Sequence, residues 1–567
     1  MTTLTCIPFA VGHRDEGVCL GVEIGPYRVL LDCGLRDVAP LLIDEPWDAV
    51  ICSHAHTDHA RGLGALRQHW PTVPIYSSEP TAALLALQAA PLAQGLPWRT
   101  PFSLTAAQDA ATEDSDSASG QLSVELWPAG HLPGAAATLL TYQTGTGVYR
   151  LLHLGDCFLS AMRLVEGLPL TALRGLEPDV LIVDGSYGNA RYPHRRQQEN
   201  DLAARLRHAL DHQLRSRIVF PVPSLGLGQE LLMLLRSHYH TAGYPVTIWV
   251  DPIVAVGCDA YLQMPMALAR SVQNFAQHQS IFWDDRVFPH VKRLPDEASR
   301  APLGLNPDAP AIFIVHPATL PATYCQNDTG DWTVFLSETG NLATWQSEQP
   351  GSVHGDWLDA LKNATALGTV QLETYLLTEH CDGTSTTQLI HNLRPRHVVL
   401  QHGDPTGLTA LADLETLQTR YKLHIPTAAQ QLSLELDTQF WRSSQPITPT
   451  STPTYEGEVT IQLTQPADAV LTLPADIVTD PRWRTFAETG LISAQWQGAN
   501  LVIRGVDPGE LLSPLPKDAQ VPSCANCRAL KGQICRQPTS PLFNRKVALD
   551  GSCAEFISKA TDREDSI

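Results

Sequence analysis

The chain has 567 residues, 43% of them apolar and 17% charged, with a formal net charge of −20. That length suits two to four domains at roughly 150 residues each, and no apolar run reaches the ~18 residues that a membrane-spanning helix needs. Nucleic-acid binders usually carry a basic footprint, so a polyanion would have to bind here through a local patch or through bound cations.

The first residues lack the basic patch and long apolar stretch of a secretory signal, which makes the cytoplasm the expected location. Residues 18–24 and 28–34 predict a strand pair turning at Gly25-Pro26. The apolar run 49–52 predicts a buried strand. It feeds Ser53-His54-Ala55-His56-Thr57-Asp58-His59, three imidazoles and a carboxylate in a short loop. Neutral imidazole and carboxylate are ligands of zinc and related cations; His54 and His56 suit one ion, Asp58 and His59 a second. A helix is expected over 62–69, and the acidic, Ser- and Ala-rich residues 103–120 read as a surface insertion. Three later strands end on similar groups. Residues 122–127 run into His131, residues 152–154 into Asp156, and residues 398–400 into His402.

From about 190 to 370, strands alternate with helices, which predicts a parallel sheet. Helices are expected over 199–214 and 229–240, and strands over 217–222, 246–250 and 311–315. Arg191, His194, Arg195 and Arg196 form a small basic cluster, either a polyanion-binding patch or a solvated loop. Gly226-x-Gly228 lacks the third glycine of a dinucleotide-binding loop. Residues 397–401, 406–421 and 432–436 read as strand, helix and strand. Residues 443–454, rich in Ser, Thr and Pro, read as a linker, followed by strands and one helix to about 515.

Eight of the twelve cysteines are scattered, mostly in apolar surroundings, and read as small core residues of a reducing compartment. The others, Cys524, Cys527, Cys535 and Cys553, crowd into the tail with Gly532 and Gly551. Four thiolates can close around a structural zinc or hold an iron–sulfur cluster, and both readings stay open, as does a metal-free tail. Residues 546–556 resemble high-potential iron–sulfur proteins, although the middle cysteine spacing departs from theirs.

The ordered set His54-x-His56-x-Asp58-His59, His131, Asp156 and His402 resembles the metallo-β-lactamase superfamily. Within it, the run from Asp179 through Asp184, Gly185, Ser186 and Tyr187 to Asn189 resembles the first motif of the β-CASP branch. Glu379-His380-Cys381-Asp382 resembles the second and Leu400-Gln401-His402-Gly403 the third, and residues 221–232 match a further stretch. The likeness spans roughly residues 1–435 and implies an α/β fold: an αββα sandwich with an inserted α/β cap and small C-terminal modules. The expected parts are 1–190 and 371–440 for the sandwich, 191–370 for the cap and 441–458 for the linker. Residues 459–515 would form a small α/β module and 516–567 the four-cysteine tail.

The resemblance implies two zinc or manganese ions, one on His54, His56, His131 and Asp156, the other on Asp58, His59, Asp156 and His402, with Asp156 bridging. It implies His380 as proton donor to the leaving oxygen and Asp184 as the group that orients or charges it. Asp32 is a candidate to hold a ligand's second ring nitrogen. His153, His391 and His397 fit no motif and are assigned to structure or surface. The implied activity is ribonuclease action, in which two cations share a hydroxide and stabilise both ends of a phosphoryl displacement.

Three departures bear on substrate choice. Relatives have an arginine where this chain has Leu227, a Ser-Gly-Met-type loop where it has residues 314–320, and a loop that 338–342 match only in part. Two other readings therefore stand beside the ribonuclease: a scaffold that binds nucleic acid or protein without cutting, and a hydrolase of a small ester or phosphoryl compound. RNA is the expected partner, with a protein or a second copy of the chain beside it, and a membrane is not expected.

Overall fold

Alternate residues along the central strands enter different cores. Val29 and Leu31 pack in one apolar cluster and Leu30 in another; Ala49 and Ile51 likewise separate from Val50. Side chains alternate across a strand, so a sheet apolar at every position must be covered on both faces. The structure, a computed structural model, describes residues 3–436 apart from short interruptions and the longer stretches 107–119, 284–289, 296–309, 320–330 and 341–355. Beyond 436 it describes short pieces between 460 and 547.

The first sheet contains β1 (Thr3–Val11), β2 (Val18–Ile24), β3 (Tyr27–Leu31), β4 (Ala49–Ile51), β5 (Ile75–Ser78) and β6 (Gln94–Leu96). The second begins with β7 (Phe102–Ser103), β8 (Gln121–Pro128), β9 (Ala136–Gln143), β10 (Val148–His153) and β11 (Val180–Asp184). The chain then leaves to build a third sheet from β12 (Ser216–Pro221), β13 (Thr247–Val250), β14 (Val291–Arg293), β15 (Ala311–Val315), β16 (Asp331–Ser337) and β17 (Val370–Tyr375). It returns through β18 (His397–Gln401) and β19 (Lys422–His424) in the second sheet and β20 (Leu432–Glu435) in the first.

Leu20, Val22, Leu31 and Ile51 of the first sheet pack against Val124, Leu140, Ile182 and Val399 of the second. Burying one such side chain is worth on the order of 1.5–3 kcal/mol. The outer faces take helices, with Leu63 and Leu66 of the helix Leu63–His69 and Leu389, Ile390 and Leu393 of the helix Gly383–Leu393 buried in the larger core. This is the expected αββα sandwich. The third sheet is parallel throughout, in the order β14-β13-β15-β12-β16-β17, as the strand–helix alternation predicts. It too has two apolar faces, Ile218 and Phe220 on one and Val219 on the other. Because β11 and β18 pair in parallel, with Asp184 opposite Gln401, the strands either side of this insertion end side by side.

Some expected elements differ in extent. The helix expected over 199–214 begins at Arg195, because its first turn is polar and carries no apolar period. The helix expected over 406–421 is two pieces, Pro405–Ala412 and Glu415–Gln418, with Leu414 in an extended conformation between them. Most of 103–120, the linker 443–454 and the helix expected before 515 lie outside the described residues. The chain divides into compact units at 1–440 and 441–567. In the second, antiparallel pairs join Thr460–Gln465 to Asp468–Thr472 and Ile492–Gln497 to Asn500–Gly505. Among the described residues no helix is long and apolar enough to cross a membrane.

Candidate metal centre

The candidate ligands all follow the C-terminal ends of strands. After β4 the chain makes a loop with His54 and then a single helical turn, Thr57–Ala60, entered from His56 in an extended conformation (φ −67°, ψ 149°). That turn carries Asp58 and His59. It sits so close to the end of β3 that a Cβ on Gly34 would lie 1.6 Å from the Asp58 carbonyl oxygen, so only glycine fits there. His131 follows β8, Asp156 follows β10, and His402 follows β18. His402 takes a left-handed backbone conformation (φ 59°), fixed by its N–H donating to the Val11 carbonyl at 2.6 Å. Such conformations persist where the surroundings over-determine them.

Each candidate ligand imidazole has one nitrogen occupied from outside. Ser53 Oγ donates to Asp32 Oδ2 at 2.9 Å and lies 3.0 Å from His54 Nδ1; the same Asp32 oxygen is 2.9 Å from His59 Nδ1. His131 Nδ1 meets the Glu379 carbonyl at 3.0 Å, and His56 Nε2 meets the Leu225 carbonyl at 3.3 Å. His402 Nδ1 meets Ser186 Oγ at 2.7 Å. A carbonyl or carboxylate only accepts, so each ring facing one places its N–H there and turns its lone pair inward. His56 Nδ1 and His131 Nε2 then face each other at 3.1 Å. Two lone pairs at that distance repel unless something positive lies between them.

Asp156 stands between the two groups. Its Oδ2 is 3.4 Å from His54 Nε2 and 3.8 Å from His131 Nε2; its Oδ1 is 3.2 Å from His59 Nε2 and 3.7 Å from His402 Nε2. His54 Nε2, His59 Nε2 and Asp156 Oδ1 are buried without a hydrogen-bond partner, a cost that a cation would remove. Ligand atoms of His54, His56, His131 and Asp156 lie within 4.8 Å of one another, as do those of Asp58, His59 and His402. The donor set fits two cations. Burial pushes the Asp156 carboxyl up, but His402, His59 and His54 outweigh it and hold it well below the usual range. Burial, aided by charge on the other rings, holds His54 well below the ordinary imidazole range and His131 at about 3, so both stay neutral donors. For His59 and His402 burial acts the same way, but the carboxylates around them win and favour a positive charge there.

His380 stands beside this cluster, its ring centre 4.7 Å from that of His131. Its Nδ1 lies 2.7 Å from Asp184 Oδ2, while Ser186 Oγ donates to Asp184 Oδ1 at 2.5 Å and also reaches His402. Burial works against a charge on His380, and Asp184 and Asp156 overcome it, so its pKa is raised.

Other candidates stand apart from the centre. Arg195 is buried and paired with Glu199 and Glu230, so it belongs to the interior and not to an exposed basic cluster. Leu227 is buried at the start of the helix Leu227–Ala242. His153 is buried beside Gln401, His391 meets Tyr421 and His397 meets His424. Cys524, Cys527 and Cys535 are buried in the second unit, and Cys553 lies outside the described residues. Among the described residues the groups able to share an ion do not include these thiols. Ser186, Leu225 and Glu379 lie within the motif-like segments, but nothing in the sequence marks the Ser186 hydroxyl or the Leu225 and Glu379 carbonyls as partners of the imidazoles; Ser53, adjoining the first candidate ligand, could have been suspected.

Comparisons with known proteins bear on this geometry. The Metallo-beta-lactamase superfamily matches residues 18–186, which include every ligand candidate of the centre except His402. An uncharacterized protein of Synechocystis sp. is 42% identical over 98% of this chain and 97% of its own length. Transcription termination factor FttA of Methanocaldococcus jannaschii is 21% identical over 74% of this chain and 70% of its own. RNase aCSPSF2 of Saccharolobus solfataricus is 21% identical over 68% and 74%, respectively.

Proposed function

The chain belongs to the metallo-β-lactamase superfamily, in its β-CASP branch, and on that premise we propose that it is a dinuclear-metal hydrolase that cuts RNA. The observation that carries the proposal is Asp156, which turns one carboxylate oxygen toward His54 and His131 and the other toward His59 and His402. The RNA connection draws on the relatives, one named an RNase and another a transcription termination factor.

In this reading His54, His56, His131 and Asp156 hold one zinc or manganese ion and Asp58, His59, Asp156 and His402 the other. When bound, the cations neutralise phosphate charge and acidify water, so that a nucleophile exists near neutral pH. His380, with Nδ1 committed to Asp184, delivers a proton from Nε2 to the leaving oxygen. Asp184 fixes that ring and stabilises its charge. Asp184 and Ser186 together link the proton donor to His402: His380 Nδ1 meets Asp184, Ser186 Oγ donates to the same carboxylate, and Ser186 Oγ also meets His402 Nδ1. The Leu225 and Glu379 carbonyls orient His56 and His131, which couples ligand geometry to segments flanking the third sheet. For the four-cysteine tail, zinc, an iron–sulfur cluster and no metal are the three readings, and Cys524, Cys527 and Cys535 are not among the described groups close enough to share an ion. Brown colour after anaerobic purification marks the cluster, and a colourless protein with bound zinc marks the alternative.

Incubation with labelled RNA and Zn²⁺ or Mn²⁺ tests the proposal. Wild type cuts and Asp58→Ala does not; equal behaviour of the two refutes it. A second reading, hydrolysis of a small ester or phosphoryl compound, is favoured by the buried, uncharged Leu227 and the net charge of −20. A screen of chromogenic phosphodiesters and esters separates the two.

A further inference from the structure

The basic residues that begin the inserted region divide into two kinds. The Arg195 guanidinium is buried among Glu199, Glu230 and the Thr378 carbonyl. Arg191 and Arg196 are exposed, and no carboxylate among the described residues pairs with either. On a chain of net charge −20, Arg191 and Arg196 are thus two exposed cations, close in sequence and without a carboxylate partner among the described residues.

Their position relative to His380 gives them meaning. The Tyr187 ring stands edge-on to His380 at 5.5 Å, and the Tyr192 ring stands at 90° to Tyr187 at 5.2 Å. Both tyrosines are pinned to the segment around His380. The Glu379 N–H donates to Tyr187 Oη at 3.2 Å, and the Tyr192 N–H donates to Asp382 Oδ2 at 3.1 Å. A wall of rings thus steps outward from the proton donor to the half-exposed Tyr192. Arg191 adjoins it in sequence, and Arg196 lies in the first turn of the helix Arg195–His212. Two carboxylates, Glu338 and Asp382, act on Tyr192, and both are fixed in place: Asp382 caps the helix Gly383–Leu393, and Glu338 accepts from the Thr374 hydroxyl at 3.0 Å.

We propose that Tyr192, Arg191 and Arg196 form a subsite for single-stranded RNA. Tyr192 stacks on a base, and the two arginines hold the phosphates that follow it. The subsite rests on the reading of this chain as a ribonuclease and adds where the strand runs. His380 protonates the leaving oxygen, so the strand along its wall is the leaving fragment. An aromatic face with flanking cations is how single strands are held without sequence preference. Each phosphate contact to a single strand also adds about 0.7 to the slope of log affinity against log salt.

The test uses the full chain with Mn²⁺ and a fluorescein-labelled single-stranded RNA of about 12 nucleotides, within the range of single-strand site sizes. KM and kcat are measured over a salt series, beside turnover of bis(p-nitrophenyl) phosphate. Arg191→Ala with Arg196→Ala raises KM for RNA and lowers the salt slope by about 1.4, that is, two contacts. Tyr192→Ala raises KM roughly 5- to 150-fold, and Tyr192→Phe, which keeps the stacking face, restores it. Arg420→Ala, at an exposed position next to β19, serves as the control and leaves KM for RNA unchanged. If wild type cuts RNA and the variants keep its KM and slope, the subsite is wrong and the ribonuclease reading survives. If the variants lose turnover of the small diester in step with RNA, they act through His380 and the subsite is equally wrong. If wild type turns over the small diester but neither binds nor cuts RNA, reading and subsite fall together.

Discussion

Nδ1 of His380 lies 2.7 Å from Oδ2 of Asp184, although the two are 196 residues apart in the chain. Asp184 is buried and held below the usual carboxylate range: burial alone would raise it, and His380 outweighs that. The pair therefore keeps a proton on a ring beside the candidate metal centre. His380→Ala should lower kcat for RNA by about 10²–10⁴-fold, the range for a lost general acid, and leave metal content intact. Asp184→Asn should lower kcat by a smaller factor. Single-turnover rates at saturating enzyme check both.

Asp156 and Asp58 should differ in metal content. Asp156 faces both groups of histidines, whereas among the described residues the Asp58 carboxylate meets His402 and His59, at 3.2 and 4.0 Å. Asp156→Ala should lose two equivalents of metal per chain relative to wild type, and Asp58→Ala one. Elemental analysis of dialysed protein reads both numbers.

Gly34 and Gly64 should respond oppositely to alanine. A Cβ at Gly34 would strike the Asp58 carbonyl, whereas one at Gly64, in the helix Leu63–His69, meets nothing within 4 Å. Gly34→Ala should cost about 1–3 kcal/mol of stability and weaken metal binding by moving Asp58. Gly64→Ala should be neutral or stabilise by up to about 1 kcal/mol, the usual gain in a helix. Urea unfolding with metal analysis distinguishes them.

His397 and His424 predict an acid-sensitive edge of the sandwich. Their rings stack at 5.3 Å, Nδ1 of His397 is 3.0 Å from Nε2 of His424, and Nε2 of His397 is 3.3 Å from the Glu435 carbonyl. Burial first, and then His424, brings His397 down to about 4, and burial lowers His424 as well. The folded protein holds both rings neutral, while the unfolded chain takes up protons near pH ~6.5. The stabilisation is therefore complete above that pH and is lost as pH falls toward 4. In chelator, so that metal loss does not contribute, the urea midpoint of wild type should drop more between pH 7.5 and 5 than that of His397→Gln.

The candidate ligand positions were legible because each follows a strand-like segment, an apolar run before His54, Asp156 and His402 and an alternating one before His131. His54, His56, Asp58 and His59 also sit within six residues, so their convergence needs no tertiary information. What holds their second nitrogens was not legible. Leu225 meets His56 across 169 residues and Glu379 meets His131 across 248, through backbone carbonyls that every residue carries. Asp32 was suspected as such a partner, but its reach to His54 runs through Ser53 and depends on the left-handed turn at Asp32 (φ 59°). Arg195 looked like part of a basic cluster because charge patterning is blind to burial. Its partners Glu199 and Glu230 draw it inside, and Arg191 and Arg196 stay out. The break at Leu414 escaped notice because the apolar residues on both sides keep a helical period.

Anomalous X-ray scattering from crystals of the full chain grown with Zn²⁺ or Mn²⁺ tests the two-cation centre most directly. Two peaks are expected, one on each side of Asp156, with His54, His56 and His131 around the first and Asp58, His59 and His402 around the second. A single peak there, or none, would contradict it.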